Sequence, residues 1–330
     1  MFCSGAYSNR ACKPVKLEAQ LPLRRLHLRG LDVVDFRLNK STSNSEAFMK
    51  VGVIPVNIGV QSAAQVVQTA QFVESLGYES VWTFEHVVVP VNYDSKYPYN
   101  KSGDMGAAPE TNFVDPLIAL SVIAASTKTL RLATGVNILS QVNPIYMAKQ
   151  AASLDFMSNG RFMLGVGIGW LREEFDALGV PFERRGARFD DYVAGMRKIW
   201  SGEVVEHESD FISWKGFKSY PLPIQNPFPV VMGGVKGKIF QRTAQLGNGW
   251  FAPTGDPAEL RGHMENLKKE CDAIGRDLSE IEITCMWPGV GGKDFLGELA
   301  AIGVGRVVMP MMGKGDPMER LTKIAEEVIN

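Results

Sequence analysis

Glu85 and His86 stand side by side at the end of the stretch SVWTFEH, residues 80–86. A carboxylate next to an imidazole can hold and move a proton near neutral pH, which is where histidine titrates. The other three histidines read as surface residues: His27 in a basic N-terminal stretch, His207 in the hairpin-like EVVEHESDFISW, and His263 on a polar helix face. None has metal-ligand spacing, so no metal is expected. A second chemical signal is GRFMLGVGIGW, residues 160–170, where Gly165, Gly167 and Gly169 alternate before Trp170. It fails the dinucleotide fingerprint, because the third glycine is replaced by Trp170 or, one register on, by Arg172. Gly233 and Gly234 with GK at 237–238 fail the P-loop pattern, since Met232 and Ile239 occupy two required positions. What these glycines do offer is bare backbone. Gly167 and Gly169 leave room for a flat ring, and Gly233-Gly234 before a helix suits a phosphate. Tight strand-to-helix turns would require the same residues.

Eight strand–helix pairs are legible around these positions. Strand-like runs fall at 51–56, 80–86, 130–139, 161–167, 228–234, 248–254, 281–287 and 304–312. Helical periodicity follows each of them, with Gly77 as one stop and Asp115-Pro116 as one start. Continuous apolar strands alternating with helices mean parallel strands covered on both faces, and eight is the closing number of a (β/α)₈ TIM barrel. Long insertions follow the second strand (87–115) and the fourth (168–187, with 203–227 beyond the next helix). Both are assigned to the barrel face that carries active sites. Tyr93, Tyr97 and Tyr99 in the first insertion suit a lid with aromatic walls, or equally an ordered cap over the core. Glu173 and Glu174 fit the charge preference of a helix start.

Composition narrows the class. The 330 residues carry a net charge of −1 and are 45% hydrophobic, so there is no electrostatic footprint for nucleic acid or an anionic membrane. No apolar run reaches the roughly 20 residues of a membrane span. Four cysteines, Cys3, Cys12, Cys271 and Cys285, show no CxxC spacing, which fits a reducing, cytoplasmic setting. Residues 1–48 hold eight Lys/Arg against four acids and no sustained period. They read as a disordered extension, or as sequence upstream of a true start at Met49, with a transit peptide as a weaker third account. Residues 49–330 are expected to form one barrel domain.

TFEH, TGVNIL, GRFMLGVGIGWLREEF, RFDDYVAGMRKIW and PVVMGG occur in this order and resemble the bacterial luciferase-like family of flavin and deazaflavin oxidoreductases. The branch using coenzyme F420 is the nearer match, with the FMN branch as the alternative. The resemblance implies that Glu85 and His86 lie beside the reactive face of the cofactor ring. It implies a non-proline cis peptide at Gly135-Val136, which with Asn137 backs the ring. Gly167, Gly169 and Trp170 are then groove residues, and Gly233 and Gly234 a backbone phosphate cradle. Arg184, Arg185 and Arg188 are candidates for an acidic cofactor tail, although a solvated helix start would explain them too. Trp170 stands where the sugar-phosphate dehydrogenases of the family have a glutamate, which argues against a sugar phosphate. The implied activity is hydride transfer between F420 and a small organic substrate, in a homodimer. The alternatives are an FMN monooxygenase with a partner flavin reductase, and a non-catalytic flavin-binding relative.

Overall fold

The computed structural model describes residues 49–313 and 315–330; the expectations for residues 1–48 lie outside them. Eight parallel strands close a barrel: β1 (Lys50–Ile54), β2 (Ser80–Thr83), β3 (Arg131–Thr134), β5 (Phe162–Gly167), β8 (Val230–Gly233), β9 (Gly249–Ala252), β10 (Glu282–Met286) and β11 (Arg306–Pro310). β11 pairs with β1 and β3 with β5, so no edge is left among them. The two-residue strand β4 (Asn137–Ile138) continues from β3 after a break and pairs with β5. The barrel helices are α1 (Ala63–Ser75), α2 (Pro116–Ser126), α3 (Pro144–Met157), α5 (Arg185–Ile199), α6 (Ile239–Leu246), α7 (Pro257–Ala273), α8 (Gly292–Ile302) and α9 (Pro317–Val328), with the short α4 (Arg172–Ala177) preceding α5. Four of them, α2, α3, α7 and α9, start on Asp-Pro or Asn-Pro: the acid or amide caps free N–H groups, and the proline needs none.

Strand alternation sorts the interior. Ile54, Trp82, Ala133, Met163, Val231, Phe251 and Val308 form one buried cluster with Met286 packed against it, one residue from each barrel strand. Below it lies the wholly buried Arg306. Its Nε and Nη2 donate to the two Glu79 oxygens at 2.8 Å each, and Nη1 donates to Glu282 at 2.6 Å. Burial alone would raise Glu282, but Arg306 and Lys50 outweigh it and hold the carboxyl at about 2.

The break between β3 and β4 is the cis peptide Gly135–Val136, which falls where the resemblance implied it. Val136 is clasped by two glycines. A Cβ on Gly167 would come within 2.7 Å of Val136 Cγ2, and one on Gly233 within 2.5 Å of Val136 Cγ1. Gly169, at φ +77°, is closed in the same way by Ile138 and Phe175, both at 2.7 Å. The side chains missing from β5 and β8 thus make room first for the chain's own bulge, not for a ligand.

The two insertions differ. Residues 84–115 run from the C-terminal end of β2 to α2, at the active-site face. Residues 203–227 instead start from the C-terminal end of α5, so the expectation that they spring from that face is corrected. They form the hairpin β6 (Val205–Glu208) and β7 (Ser213–Phe217), which runs back along α5 from Lys198 to Arg184. His207 is buried there, bonded through Nε2 to Asp191 (2.9 Å) and stacked on Trp214. It is not the surface residue expected.

Two outcomes test this packing. Removing a buried partner of paired carboxylates costs about 3–5 kcal/mol, so Arg306→Met is expected to lose that much at pH 7. The folded Glu282 value lies below the unfolded one, so its contribution is full above the ordinary carboxylate range and is lost as pH falls to about 2. Urea midpoints of variant and wild type should therefore converge from pH 5 toward pH 3; a constant gap would contradict the ion cluster. For the clasp, Gly167→Ala should cost about 1–3 kcal/mol by overpacking. Adding Val136→Ala should relieve part of that loss, whereas strictly additive costs in the double-mutant cycle would refute the clasp.

Candidate active site

A cavity of about 410 Å³ opens at the C-terminal mouth of the barrel. Its floor and inner walls come from inward positions of the strands and their extensions: Phe84, Gly135, Gly167, Gly233, Phe251 and Met286. Its roof is Tyr97 and Tyr99 from the β2–α2 insertion, with Trp170. A larger groove, about 580 Å³, lies outside the barrel between α1, α2 and residues 109–114. It holds none of the expected site residues.

Of those residues, Gly135, Val136, Gly167, Gly169, Trp170, Gly233 and Gly234 all line the cavity, and Glu85, His86 and Asn137 do not. Alternation explains Glu85. Trp82 packs inside the barrel and Phe84 lines the cavity, so Glu85 points the other way. Its carboxylate accepts Asn137 Nδ2 at 2.7 Å and the Ile138 N–H, tying the end of β2 to β4 just past the cis peptide. Burial, with Glu174 and Asp115 nearby, pushes its carboxyl up to about 8 against these hydrogen bonds. Asn137 is turned to Glu85 rather than into the cavity, and its Oδ1 is buried with no partner among the described residues.

His86 stands one ring behind the cavity wall, edge-on to Trp170 with centroids 6.0 Å apart and to Phe113 at 5.7 Å. Its partner is not the neighbouring Glu85 but Glu174, whose Oε2 lies 3.0 Å from Nδ1. The other Glu174 oxygen accepts the Val87 N–H at 2.6 Å. Glu173 works in parallel and accepts the Asp94 and Ser95 N–H groups at 2.7 and 3.2 Å. Its carboxyl is held at about 2: burial would raise it, and the hydrogen bonds from Ser95 and Asp94 together overcome this. Two successive carboxylates thus staple the start of the insertion to α4, a role that helix-start charge preference did not reveal. Asn57, wholly buried, holds both ends: Nδ2 donates to Phe84 O (2.8 Å) and Val114 O (2.7 Å).

The insertion then crosses the mouth. Tyr97 packs edge-on against Trp170 (5.3 Å) and Tyr99 (5.5 Å), and Tyr93 against Trp170 (6.0 Å). The Tyr99 hydroxyl reaches Gly234 on the far side, 3.0 Å from where a Cβ would stand.

At the expected phosphate cradle, one of the two glycine N–H groups is already engaged. The Gly234 N–H is already bonded to Phe251 O at 3.2 Å, and α6 begins at Ile239 with no side-chain cap. The uncapped start of α6 that follows is flanked by Lys236 and Arg242, two cations with no motif to mark them in the sequence. Arg242 is paired with Asp190 at 2.5 Å. Among the three arginines expected at a cofactor tail, only Arg185 lines the cavity. Arg184 pairs with Asp210, and Arg188 is buried on the Ser140 carbonyl at 2.8 Å.

Comparison with known proteins bears on the family and the fold. A family model described as luciferase-like monooxygenase matches residues 40–290. An uncharacterized protein of Mycobacterium tuberculosis is 30% identical over 244 residues, spanning 73% of this chain and 85% of that one. Among solved structures, the coenzyme F420 dependent tetrahydromethanopterin reductase of Methanopyrus kandleri superposes with a TM-score of 0.68 at 16% identity, covering 86% of this chain and 99% of that one. The FMN-bound oxygenating constituent of 3,6-diketocamphane monooxygenase from Pseudomonas putida does so with a TM-score of 0.66 at 14% identity, covering 85% and 98%. Both share the barrel, and no described helix is long and apolar enough to cross a membrane. With three quarters of its length matched by the family model, this chain belongs to the luciferase-like monooxygenase family.

Proposed function

We propose that the protein is an oxidoreductase that moves a hydride between coenzyme F420 and a small organic substrate. The observation that carries this reading is the cavity itself: an apolar, glycine-walled slot backed by the cis Gly135–Val136 bulge, with a cationic helix start at one end. These residues fit a flat ring with a phosphate-bearing chain. Gly135, Val136 and Gly167 would back the ring, and the start of α6 with Lys236 would hold the phosphate. Arg185 would meet an acidic tail. When bound, the deazaflavin supplies a two-electron hydride carrier. The part of this chain is to exclude water under the tyrosine lid and to hold a proton on His86. Glu174 fixes His86 through Nδ1, directly behind Trp170 in the cavity wall. Glu85 and Asn137 are positioning groups for the bulge.

FMN carries a similar ring and phosphate, and would make the protein a monooxygenase served by a flavin reductase. Titration of the purified protein with each cofactor, followed by the cofactor's own absorbance, separates the two. F420 is expected to bind at least tenfold tighter. FMN binding tenfold tighter, about 1.4 kcal/mol, with oxygen-dependent turnover would replace the proposal by the monooxygenase. Binding of either without turnover of any donor would leave a non-catalytic relative.

His86→Ala is expected to lose about 10²–10⁴-fold in turnover while melting within a few degrees of wild type. Glu174→Gln can still accept the Val87 N–H but no longer offers a charge to Nδ1. It should lower kcat with little change in KM. Normal turnover in His86→Ala would remove the residue from the chemistry.

A further inference from the structure

The roof of the cavity constrains what can sit beneath it. Tyr97, Tyr99 and Trp170 present ring surface there, continued by Phe84, Ile138 and Met286, and no Asp or Glu lines the cavity. Three cations do. Arg242 is neutralised by Asp190, through two hydrogen bonds of 2.5 and 3.2 Å. Arg185 donates to the Gly169 carbonyl at 3.1 Å and stacks on Phe182, 3.7 Å from the ring centre. Lys236 remains, with only a long 3.4 Å contact to Pro98 O, beside the start of α6 where an anionic cofactor group is proposed. With Lys236 at the cofactor's phosphate and Arg185 at its acidic tail, no lining cation is left over to pair with a second anion, and burying an unpaired charge is costly. A cation would find ring faces, yet no carboxylate lines the cavity to pair with it. The Tyr97 and Tyr99 hydroxyls have no hydrogen-bond partner among the described residues. Tyrosine hydroxyls are protonated at neutral pH, so both can donate.

We infer that the substrate is a neutral, flat, largely apolar molecule with one hydrogen-bond acceptor, of the aryl or cyclic ketone class, or the matching alcohol. It packs its body against Trp170 and directs its oxygen to Tyr97 or Tyr99. This deepens the function proposed above and rests on it for the assignment of Lys236 and Arg185 to the cofactor.

Three probes of one size separate the charge classes: acetophenone, benzoate and phenyltrimethylammonium. Each is titrated into the full-length protein, without and with cofactor, and the quench of tryptophan fluorescence that is lost in Trp170→Phe is read. Acetophenone is expected to bind at least tenfold tighter than either ion. Trp170→Ala, titrated by calorimetry because it lacks the reporting ring, should weaken it tenfold or more, and Tyr97→Phe severalfold by either readout. Benzoate or phenyltrimethylammonium binding as tightly as the ketone, or no Trp170-dependent quench by acetophenone, would overturn the substrate class. The cofactor's own absorbance reports on the other reading. If the cofactor binds and the ketone does not, the substrate class alone fails. If the ketone binds and neither cofactor does, the proposed activity fails and the apolar slot stands. Should Trp170→Ala not fold, the Tyr97→Phe titration carries the test.

Discussion

One steric constraint organises the catalytic end of this molecule: the seat of Val136 between Gly167 and Gly233. A closed barrel has no free edge on which to hang an irregular loop, so a bulge inside its wall must be accommodated by neighbouring strands. Here β5 and β8 give way by having no side chains at the two contact points. With Val136 seated there, backbone rather than side chain faces the mouth on that side. Glu85 and Asn137 then stabilise the displaced strand from outside, and the lid meets the same wall at Gly234. Loss of either glycine therefore disturbs wall, bulge and roof together.

The architecture was legible because it rests on short-range rules. Apolar runs of strand length alternated with 3.6-residue periodicity, and Asp115-Pro116 marked one helix start, so eight units could be counted. Position along a strand was legible too, and it placed His86 and the glycines near the mouth. The face on which each residue lay was harder to read. Glu85 drew attention as an acid beside a histidine, yet the period of two that puts Trp82 inside sends Phe84 into the cavity and Glu85 away from it. Parity counted from Trp82 would have found this.

Other features depended on tertiary contacts that no local pattern encodes. Glu174 reaches His86 across 88 positions of sequence, and Asn57 joins both ends of the lid from a segment that reads as loop. Arg184 and Arg188 are separated from Arg185 by their rotation about α5, which sends one to the hairpin and buries another. His207 was misread because a β-hairpin seen alone has two solvent faces, whereas this one lies along a helix.

The Arg306 cluster has a bearing on traffic through the molecule. A wholly buried guanidinium gripped by Glu79 and Glu282 fills the lower end of the barrel beneath the apolar layer. The cavity is consequently a cul-de-sac. Cofactor, substrate, product and displaced water must all share one doorway, the one spanned by Tyr97 and Tyr99. Whatever binds there passes the aromatic lid twice, once on entry and once on exit.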